Sequence, residues 1–232
     1  MIFTAVIMGG MRWVTFDCYG TLVDWRHGIR TSAELVSPGQ GARLLEAYNR
    51  HEPAVEAESP GMRYRDVLAE ALRRACAEEQ VRLHPDDAGV LAATLPYWPV
   101  FPEVGAELSA LREAGWRLAL LTNCDRDLVA GTRRRLPVPF DAVVTAEDAG
   151  AYKPADAHFE LFRSTYEPAA WVHVAQSYFH DMVPAHRLGL PRVWINRLGE
   201  RPADAQVVQG VLPDLRGLLT AVEAALSPGA PA

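Results

Sequence analysis

Hydrophobic positions along the chain alternate between short continuous runs and longer stretches with apolar side chains at helical spacing. The short runs are rich in β-branched and aromatic residues and predict strands at Arg12–Asp17, Arg117–Thr122, Ala142–Thr145, Trp171–Ala175 and Arg192–Ile195. The longer stretches predict helices at Pro102–Gly115, Arg126–Arg135, Asp156–Tyr166, Asp181–Leu188 and Asp214–Leu226. Strands that alternate with helices in this way predict an α/β fold, with a mainly parallel sheet covered by helices on both faces.

Residues 25–100 interrupt this alternation, because helical stretches follow one another there without a convincing strand between them. These stretches are predicted at Arg26–Leu35, Gly41–Ala57, Arg63–Glu79 and Pro85–Leu95. A proline-punctuated segment at residues 96–102 then leads back to the alternating pattern. We therefore expect a core formed by residues 11–24 and 101–227, an all-helical cap at 25–100 inserted after the first strand, and tails at 1–10 and 228–232.

Composition and charge exclude several classes of protein. The chain has 232 residues, of which 49% are hydrophobic and 22% charged, so it can bury a core and is not globally disordered. Its 29 acidic and 23 basic residues give a net charge of −6, which argues against a nucleic-acid partner. No apolar run reaches the roughly 18–20 residues that cross a bilayer. A small molecule is the partner that we expect.

The cysteines and the start of the chain indicate the compartment. Cys18, Cys76 and Cys124 are too few and too scattered for a disulfide framework, so a reducing cytoplasm is predicted. The first eight residues are apolar but lack the basic start and the small-residue cleavage site of a signal peptide. Translation that begins at Met8 or Met11 is as compatible with the sequence as a start at the first residue.

A single lysine, Lys153, stands out among the basic residues, because the other 22 are arginines. Arginine-rich coding explains the general bias, and chance survival of one lysine is the alternative to a functional role. A compact ammonium group differs from a planar guanidinium group, so a site that needs the first does not accept arginine. The surroundings of Lys153 favour the functional interpretation.

Polar residues follow the carboxyl ends of several predicted strands, where open α/β sheets bind their ligands. In chain order these residues are Asp17, Thr122, Asn123, Lys153, Gln176, Ser177 and Asp181. We expect them to meet at one edge of the sheet, beneath the cap.

Asp17 is the member of this set with the most distinctive chemistry. A carboxylate at the end of a buried strand loses solvation unless a partner compensates, and Lys153 is the obvious partner. A carboxylate held ionised in this way can act as a nucleophile and form a covalent ester. The alternative is a structural aspartate that caps the turn at Tyr19 and Gly20, and Asp17 taken alone favours that alternative.

Four segments of the sequence, taken together, favour a nucleophilic Asp17 over a structural one. Residues 16–24, Phe-Asp-Cys-Tyr-Gly-Thr-Leu-Val-Asp, resemble the first motif of the haloacid dehalogenase superfamily. Residues 121–123 resemble its second motif, residues 152–154 its third, and residues 176–181 a variant of its fourth. The resemblance extends from about Arg12 to Leu226. It implies a doubly wound core, a helical cap and an aspartate nucleophile that matches Asp17.

Tyr19 indicates which branch of the superfamily the chain resembles. Phosphatases of the superfamily carry a second aspartate two residues after the nucleophile, which protonates the leaving alkoxide and later activates water. Tyr19 holds that position here and cannot replace a carboxylate at neutral pH. Because a halide leaves without protonation, the pattern resembles the 2-haloacid dehalogenases, and most closely their L-2 (type II) branch.

The fourth motif favours a reaction without a cofactor. Metal-dependent members place acidic residues at both ends of this segment, whereas Gln176 and Asp181 match those positions here. A neutral amide is a poor ligand for Mg²⁺, although Asp17 and Asp181 leave a weak magnesium site open. Gln176 and Tyr178 also replace a serine and an asparagine of the dehalogenase pattern, which concerns the fit of the substrate more than the reaction class.

The dehalogenases also place a cap arginine beside the leaving halide. Counted from the Gly-Gln-Gly segment at residues 39–41, that position falls on Asn49, with Arg50 next to it. One residue along a helix is about 100° of rotation, so Arg50 does not simply replace the family's arginine. Both residues are candidates for the halide cradle, and a solvated face is the alternative for Arg50.

These observations predict a hydrolase that displaces halide from a short 2-haloacid through an aspartyl ester and yields a 2-hydroxy acid. Asp17 is the expected nucleophile, Lys153 keeps it ionised, and Asp181 positions the hydrolytic water. Tyr19 is expected in the pocket wall. The predicted contacts of the substrate carboxylate or halide are Thr122, Asn123, Ser177, Gln176, Asn49 and Arg50.

Other interpretations stay open at this point. One is a magnesium-dependent phosphatase or a carbon–phosphorus hydrolase of the same superfamily, and another is a non-catalytic, metabolite-binding relative. The resemblance also implies a homodimer. His158 and His173 have no metal-ligand spacing and are interpreted as structural, and His180 as a wall or capping residue.

Overall fold

The computed structural model describes residues 10–227 of the chain. The predicted tails, except for Gly10, lie outside the described residues, and so do the starts considered at Met1 and Met8. Within the described residues, no helix is long and apolar enough to span a membrane.

Six parallel strands form one sheet in the order β3-β2-β1-β4-β5-β6. Their bounds are Arg12–Phe16 (β1), Arg117–Thr122 (β2), Ala142–Thr145 (β3), Ala170–Ala175 (β4), Arg192–Ile195 (β5) and Gly210–Leu212 (β6). The chain adds β2 and β3 on one side of β1, then returns and adds β4, β5 and β6 on the other side. This order confirms the doubly wound α/β prediction and creates a topological switch point between β1 and β4, where such sheets bind ligands.

Helices cover both faces of this sheet. They are α5 (Val104–Glu113), α6 (Arg126–Arg133), α7 (Ala146–Ala149), α8 (Ala157–Tyr166), α9 (Val183–Arg187) and α10 (Leu218–Ala225). Successive side chains of β1 point to opposite faces, so Trp13 packs with Phe162 of α8 in one cluster. Val14 and Phe16 belong to the larger cluster on the other face, which Leu108 of α5 also joins.

The cap is all-helical and lies between β1 and β2 in the chain. Its helices are α1 (Trp25–Val36), α2 (Gly41–Glu58), α3 (Tyr64–Glu78) and α4 (Val90–Thr94), with single 3-10 turns at Pro85–Asp87 and Leu95–Tyr97. Helices α2 and α3 bury Leu44, Tyr48, Leu68 and Leu72, which continue the larger apolar cluster of the core. The elements between β1 and β2 are therefore all helical, and the division of the chain into a core and an inserted cap stays a prediction.

Several short elements differ from the sequence prediction, and three of them show why. Strand β6 is not predicted, because it has only three residues, begins with Gly210 and leaves Val211 exposed at the sheet edge. The predicted helix at Pro85–Leu95 is broken into a 3-10 turn and the short α4. The predicted helix at Asp181–Leu188 begins as a π-helical turn at Tyr178–Met182, which continues into α9. All three are too short for their periodicity to be read from sequence.

Candidate active site

A cavity of about 650 Å³ opens at the switch point, between the carboxyl ends of the strands and the cap. Nine of the ten predicted site residues line it: Asp17, Tyr19, Asn49, Thr122, Asn123, Lys153, Gln176, Ser177 and Asp181. The cap also contributes Glu52, Glu56 and Tyr64, which the sequence analysis did not select. The fold thus gathers residues that lie far apart in the chain around one space.

Asp17 is fixed at the end of β1. Its backbone N–H donates to the Val174 carbonyl at 3.2 Å, so strand pairing with β4 continues up to this residue. Its carboxylate accepts a hydrogen bond from Thr21 Oγ1 on Oδ2 at 3.0 Å, and one from Lys153 Nζ on Oδ1 at 3.0 Å. Burial raises the pKa of Asp17, and the charge of Lys153 acts against this by favouring the ionised form.

The turn after Asp17 needs a glycine. Gly20 has a φ of 99°, in the left-handed region that side chains disfavour. A Cβ atom at this position would meet Trp25 Nε1 at 2.9 Å and Gln176 Oε1 at 3.0 Å. Gly20 therefore allows the chain to turn sharply between the candidate nucleophile and the cap.

Lys153 is the centre of the polar network. Its ammonium group is 1% exposed and donates to Asp17 Oδ1 at 3.0 Å, to the Leu121 carbonyl at 2.8 Å and to Asp181 Oδ1 at 2.7 Å. These three acceptors use all three of its donors. Burial alone would lower the pKa of Lys153, but the two carboxylates outweigh it and raise the pKa above its usual value. The ammonium group is therefore charged at neutral pH.

Asp181 and His173 continue the network beneath the cavity. Asp181 Oδ1 accepts hydrogen bonds from Lys153 and from His173 Nε2, the latter at 3.0 Å. His173 Nδ1 lies 2.8 Å from Thr15 Oγ1, and Trp171 Nε1 donates to the same hydroxyl at 2.7 Å. Burial alone would raise the pKa of Asp181, but Lys153 and His173 hold it well below its usual range. The Asp181 carboxylate is therefore ionised, and its Oδ2 has no partner among residues 10–227.

Tyr19 lies in the cavity wall with its hydroxyl directed at the core. That hydroxyl is 2.9 Å from Thr132 Oγ1, and the ring meets Trp98 of the cap edge to face. Burial raises the pKa of Tyr19 well above its usual value, so the phenol stays neutral. Its position two residues after Asp17 therefore carries no group that can act as a general acid and base near neutral pH.

Asn123 holds Lys153 in place. Its Oδ1 accepts the Lys153 backbone N–H at 2.7 Å, and its Nδ2 donates to the Lys153 carbonyl at 3.1 Å. Each end of the amide thus makes one hydrogen bond to main chain, and Asn123 also lines the cavity. The substrate contact that we predicted for Asn123 stays a prediction, made by an amide that is already fixed in position by Lys153.

Residues 176–181 form the cavity wall below β4. The Gln176 N–H donates to Thr21 Oγ1 at 2.9 Å, which links this segment to the turn after Asp17. Ser177 caps the π-helical turn, since its Oγ accepts the backbone N–H of His180 at 3.1 Å and also lies 3.1 Å from His180 Nδ1. Thr122 is buried at the end of β2 and also lines the cavity.

Comparison with known proteins agrees with this arrangement. Residues 11–178 match the family model of the haloacid dehalogenase-like hydrolases. The chain belongs to this family. It is 28% identical to haloacetate dehalogenase H-2 of Moraxella sp. (strain B), over 80% of this chain and 86% of the relative. It is 24% identical to the (S)-2-haloacid dehalogenase of Pseudomonas sp. (strain YL), over 83% and 85% of the two chains.

A solved structure of a family member has the same fold. The crystal structure of an L-2-haloacid dehalogenase superimposes with a TM-score of 0.82 at 28% identity, and the match covers 92% of this chain and 99% of that one. The protein is therefore a haloacid dehalogenase-like hydrolase in sequence and in architecture.

Arg50 is the predicted site residue that lies elsewhere. It is exposed on the outer face of α2 and forms ion pairs with Glu78 and Glu79 of the α3 end. The prediction that Arg50 helps to cradle a halide is wrong, because the helix turns this position away from the cavity. Asn49, one residue earlier, does line the cavity, and the solvated-face alternative for Arg50 agrees with the structure.

The donor set around Asp17 does not fit a magnesium ion. The Lys153 ammonium group lies between the Asp17 and Asp181 carboxylates and is bonded to both. Within residues 10–227, no group of three or more His, Cys, Asp and Glu side chains is arranged to hold a metal. With an ammonium group bonded to both carboxylates, Lys153 already supplies the positive charge at this point, and its charge disfavours a divalent cation between Asp17 and Asp181.

Two features of the site were missed by sequence reasoning, and each left a signal. Glu52 and Glu56 follow Tyr48 at spacings of four residues, so they continue the buried stripe of α2. His173 stands on the same side of β4 as Trp171, and it pairs in register with Thr15 of β1. We interpreted His173 as structural, and its contact with Asp181 could only be seen once the strands were placed side by side.

Proposed function

We propose that the protein hydrolyses the carbon–halogen bond of a short 2-haloacid and releases a 2-hydroxy acid. The observation that carries this proposal is the Asp17 carboxylate, held at the switch point by Lys153 and Thr21, with Tyr19 in place of an acidic residue two positions later. An aspartate nucleophile without a nearby general acid is suited to a leaving group that needs no proton. The similarity to haloacetate and (S)-2-haloacid dehalogenases supports the same reaction.

In the first step, a carboxylate oxygen of Asp17 attacks the carbon that carries the halogen. The carbon–halogen bond breaks, the halide leaves with the electron pair, and an aspartyl ester forms. Lys153 stabilises the ionised nucleophile before this step, and its pairing with Asp181 keeps the ammonium group partnered once Asp17 is esterified.

In the second step, water attacks the carbonyl carbon of the ester. Asp181 supports this step, because its Oδ2 has no partner among the described residues and is an ionised acceptor for a water molecule. The acyl–oxygen bond breaks, Asp17 regains its carboxylate, and the 2-hydroxy acid leaves. Each turnover consumes one water and releases one halide and one proton.

A first prediction tests the nucleophile. We expect the protein to release chloride from racemic 2-chloropropionate in EDTA, and Asp17→Asn to lower the rate by about a thousandfold or more, since the attacking oxygen loses its charge. Asp87→Asn is the matched control, because Asp87 is exposed on a 3-10 turn of the cap.

Two results would count against the proposal. Wild-type rates in the Asp17→Asn variant would remove Asp17 as the nucleophile. Loss of chloride release on chelation, with recovery on added Mg²⁺, would favour the metal-dependent alternative. The homodimer and the cytoplasmic location stay predictions that this assay does not address.

A further inference from the structure

The cap presents two carboxylates to the cavity that contains Asp17. Glu52 and Glu56 stand one turn apart on α2, and both line the cavity with Asp17 and Lys153. Glu56 is 8% exposed, although it is ionisable and lies on the cap rather than in the core. Buried acidic side chains are rare unless a partner compensates their charge, so the partners of this pair are informative.

Glu52 is held by neutral donors. Its Oε1 accepts hydrogen bonds from Tyr48 at 2.8 Å and from Tyr64 at 2.7 Å. These hydroxyls fix the carboxylate but bring no positive charge. Burial raises the pKa of Glu52, and the two tyrosine hydroxyls oppose this by stabilising its ionised form.

Glu56 makes no hydrogen bond within residues 10–227, and its cationic neighbours are engaged elsewhere. Lys153 has used its three donors on Asp17, Asp181 and the Leu121 carbonyl. His180 Nε2 lies 3.7 Å from Glu56 Oε2, beyond hydrogen-bond distance. Burial lowers the pKa of His180, so this imidazole is neutral at pH 7.

The arginines near the cavity do not compensate the pair either. Arg26 forms an ion pair with Glu46 at 2.5 Å, and Arg50 pairs with Glu78 on the outside of the cap. Arg201 lines the exposed side of the cavity but is within salt-bridge distance of neither Glu52 nor Glu56. Within the described residues, the pair therefore faces the cavity without a cation.

A buried carboxylate in this position can be compensated in two ways, by a proton or by a cation that arrives with the ligand. Burial, together with the charge of Glu52, raises the pKa of Glu56 to about 8, so the empty site holds a proton there at neutral pH. A ligand that carries only a carboxylate leaves Glu52 and Glu56 without a cation. An ammonium group placed against Glu52 and Glu56 would receive charge-assisted hydrogen bonds and balance the cavity.

We propose that Glu52 and Glu56 form a subsite for an ammonium group, and that the substrate is a haloacid that also carries an amine. This inference rests on the proposed function for its reaction, and for its substrate class on two cap carboxyl groups, Glu52 and Glu56, that no cation among the described residues pairs with. In this arrangement the halogen-bearing carbon lies at Asp17, and the amine extends toward α2.

The test compares two substrates that differ by one amine, 2-chlorobutyrate and 4-amino-2-chlorobutyrate. We expect kcat/KM for chloride release to be about ten- to a hundredfold higher for the amino compound, the range of a hydrogen-bonded charge pair. Glu56→Gln should bring the ratio of the two values close to one, and Glu58→Gln should keep it. Glu58 is a suitable control because it lies on the same helix, exposed, and pairs with Arg74.

Equal kcat/KM values for the two substrates in the wild type, or an unchanged ratio in Glu56→Gln, would overturn the ammonium subsite and leave the proposed function intact. Chloride release from neither compound would instead count against the proposed function. In that case, the ammonium subsite is tested by measuring the binding of 4-aminobutyrate and of butyrate with calorimetry. Preference for 4-aminobutyrate that is lost in Glu56→Gln supports it, and equal or absent binding of both overturns it.

Discussion

The ionisation of Asp17 depends on a balance between burial and one ammonium group. Burial raises the pKa of Asp17, whereas Lys153 at 3.0 Å favours its ionised form. Lys153 can do this because Asp181 and the Leu121 carbonyl hold it in place, and because Asn123 clamps its backbone. A lysine suits this position better than an arginine, since a compact ammonium group reaches three acceptors at once.

Glu56 gives a second prediction, which concerns stability. Its pKa is about 8 in the folded chain and 4.5 ordinarily, so the folded chain holds a proton that the unfolded chain releases between these values. The resulting stability is present below the ordinary pKa and is lost as the pH rises through about 8. We expect Glu56→Gln to raise Tm relative to wild type by a few degrees more at about pH 9 than at about pH 6.

Glu58→Gln is the control for this measurement. Glu58 is exposed, and the hydrogen bond from Arg74 lowers its pKa. The difference in Tm between Glu58→Gln and wild type should therefore not grow with pH as it does for Glu56→Gln. A difference between Glu56→Gln and wild type that stays constant or shrinks as the pH rises would contradict the buried, uncompensated state of Glu56.

Single residues were predictable where a local motif fixes their role in the fold. Asp17, Lys153 and Asp181 each lie in a segment that follows the carboxyl end of a predicted strand, so the sequence predicts that they meet at one edge of the sheet. Asn123 and Arg50 were less predictable, because their partners come from other segments. The hydrogen bonds of an amide or a guanidinium group depend on which neighbours the fold supplies.

At the scale of elements, α2 contributes both to the packing of the cap and to the lining of the cavity. Its buried side, which includes Leu44 and Tyr48, joins the apolar cluster of the cap, and the same stripe continues into Glu52 and Glu56 at the cavity. The periodicity predicted the helix and its apolar face. It did not show which end of that face reaches the active site, since this depends on how the cap lies on the sheet.

Two helical glycines give a third prediction, at the same scale. A Cβ atom at Gly28 of α1 would overlap the indole of Trp98, whereas one at Gly105 of α5 would meet Pro137 at 3.4 Å. Gly28→Ala should therefore destabilise the protein by about 1–3 kcal/mol through overpacking. Gly105→Ala should be neutral or stabilise it by up to about 1 kcal/mol, the usual gain in a helix.

Urea unfolding of the two variants checks this pair. Equal free energies of unfolding for Gly28→Ala and Gly105→Ala would contradict the close packing of α1 on the linker that carries Trp98. A large fall in the free energy of unfolding in Gly105→Ala alone would mean that Gly105, rather than Gly28, is the closely packed position.

At the scale of the whole molecule, hydrogen bonds from the core hold the cap in position over the cavity that contains Asp17. The Asp125 carboxylate, from the loop after β2, accepts the backbone N–H groups of Tyr64 and Arg65 at 2.8 and 3.1 Å, so it caps α3 across the junction. The hydroxyl of Tyr152, beside Lys153, donates to the Met62 carbonyl at 2.6 Å. These contacts connect the residues before α6 and beside Lys153 to the cap.

The order of strands and helices was predictable from the sequence, but the contacts between the core and the cap were not. Alternating strands and helices leave few topologies for a parallel sheet, and the helical run at residues 25–100 marks the insertion. The capping of α3 by Asp125 joins residues 60 positions apart, with no local signal in either segment. The sequence therefore predicts the residues at the sheet edge of the cavity better than the cap residues that complete its lining.

The central claim is that Asp17 becomes covalently bound to the substrate carbon, and oxygen transfer tests it directly. With protein in excess over 2-chloropropionate, in water labelled with heavy oxygen, the first turnover should give unlabelled lactate and place the label in Asp17. Mass spectrometry of the tryptic peptide Trp13–Arg26 can locate the label, and Asp24 in the same peptide is the internal control. Label in the lactate, with none in Asp17, would show that water attacks the substrate directly and would contradict the account.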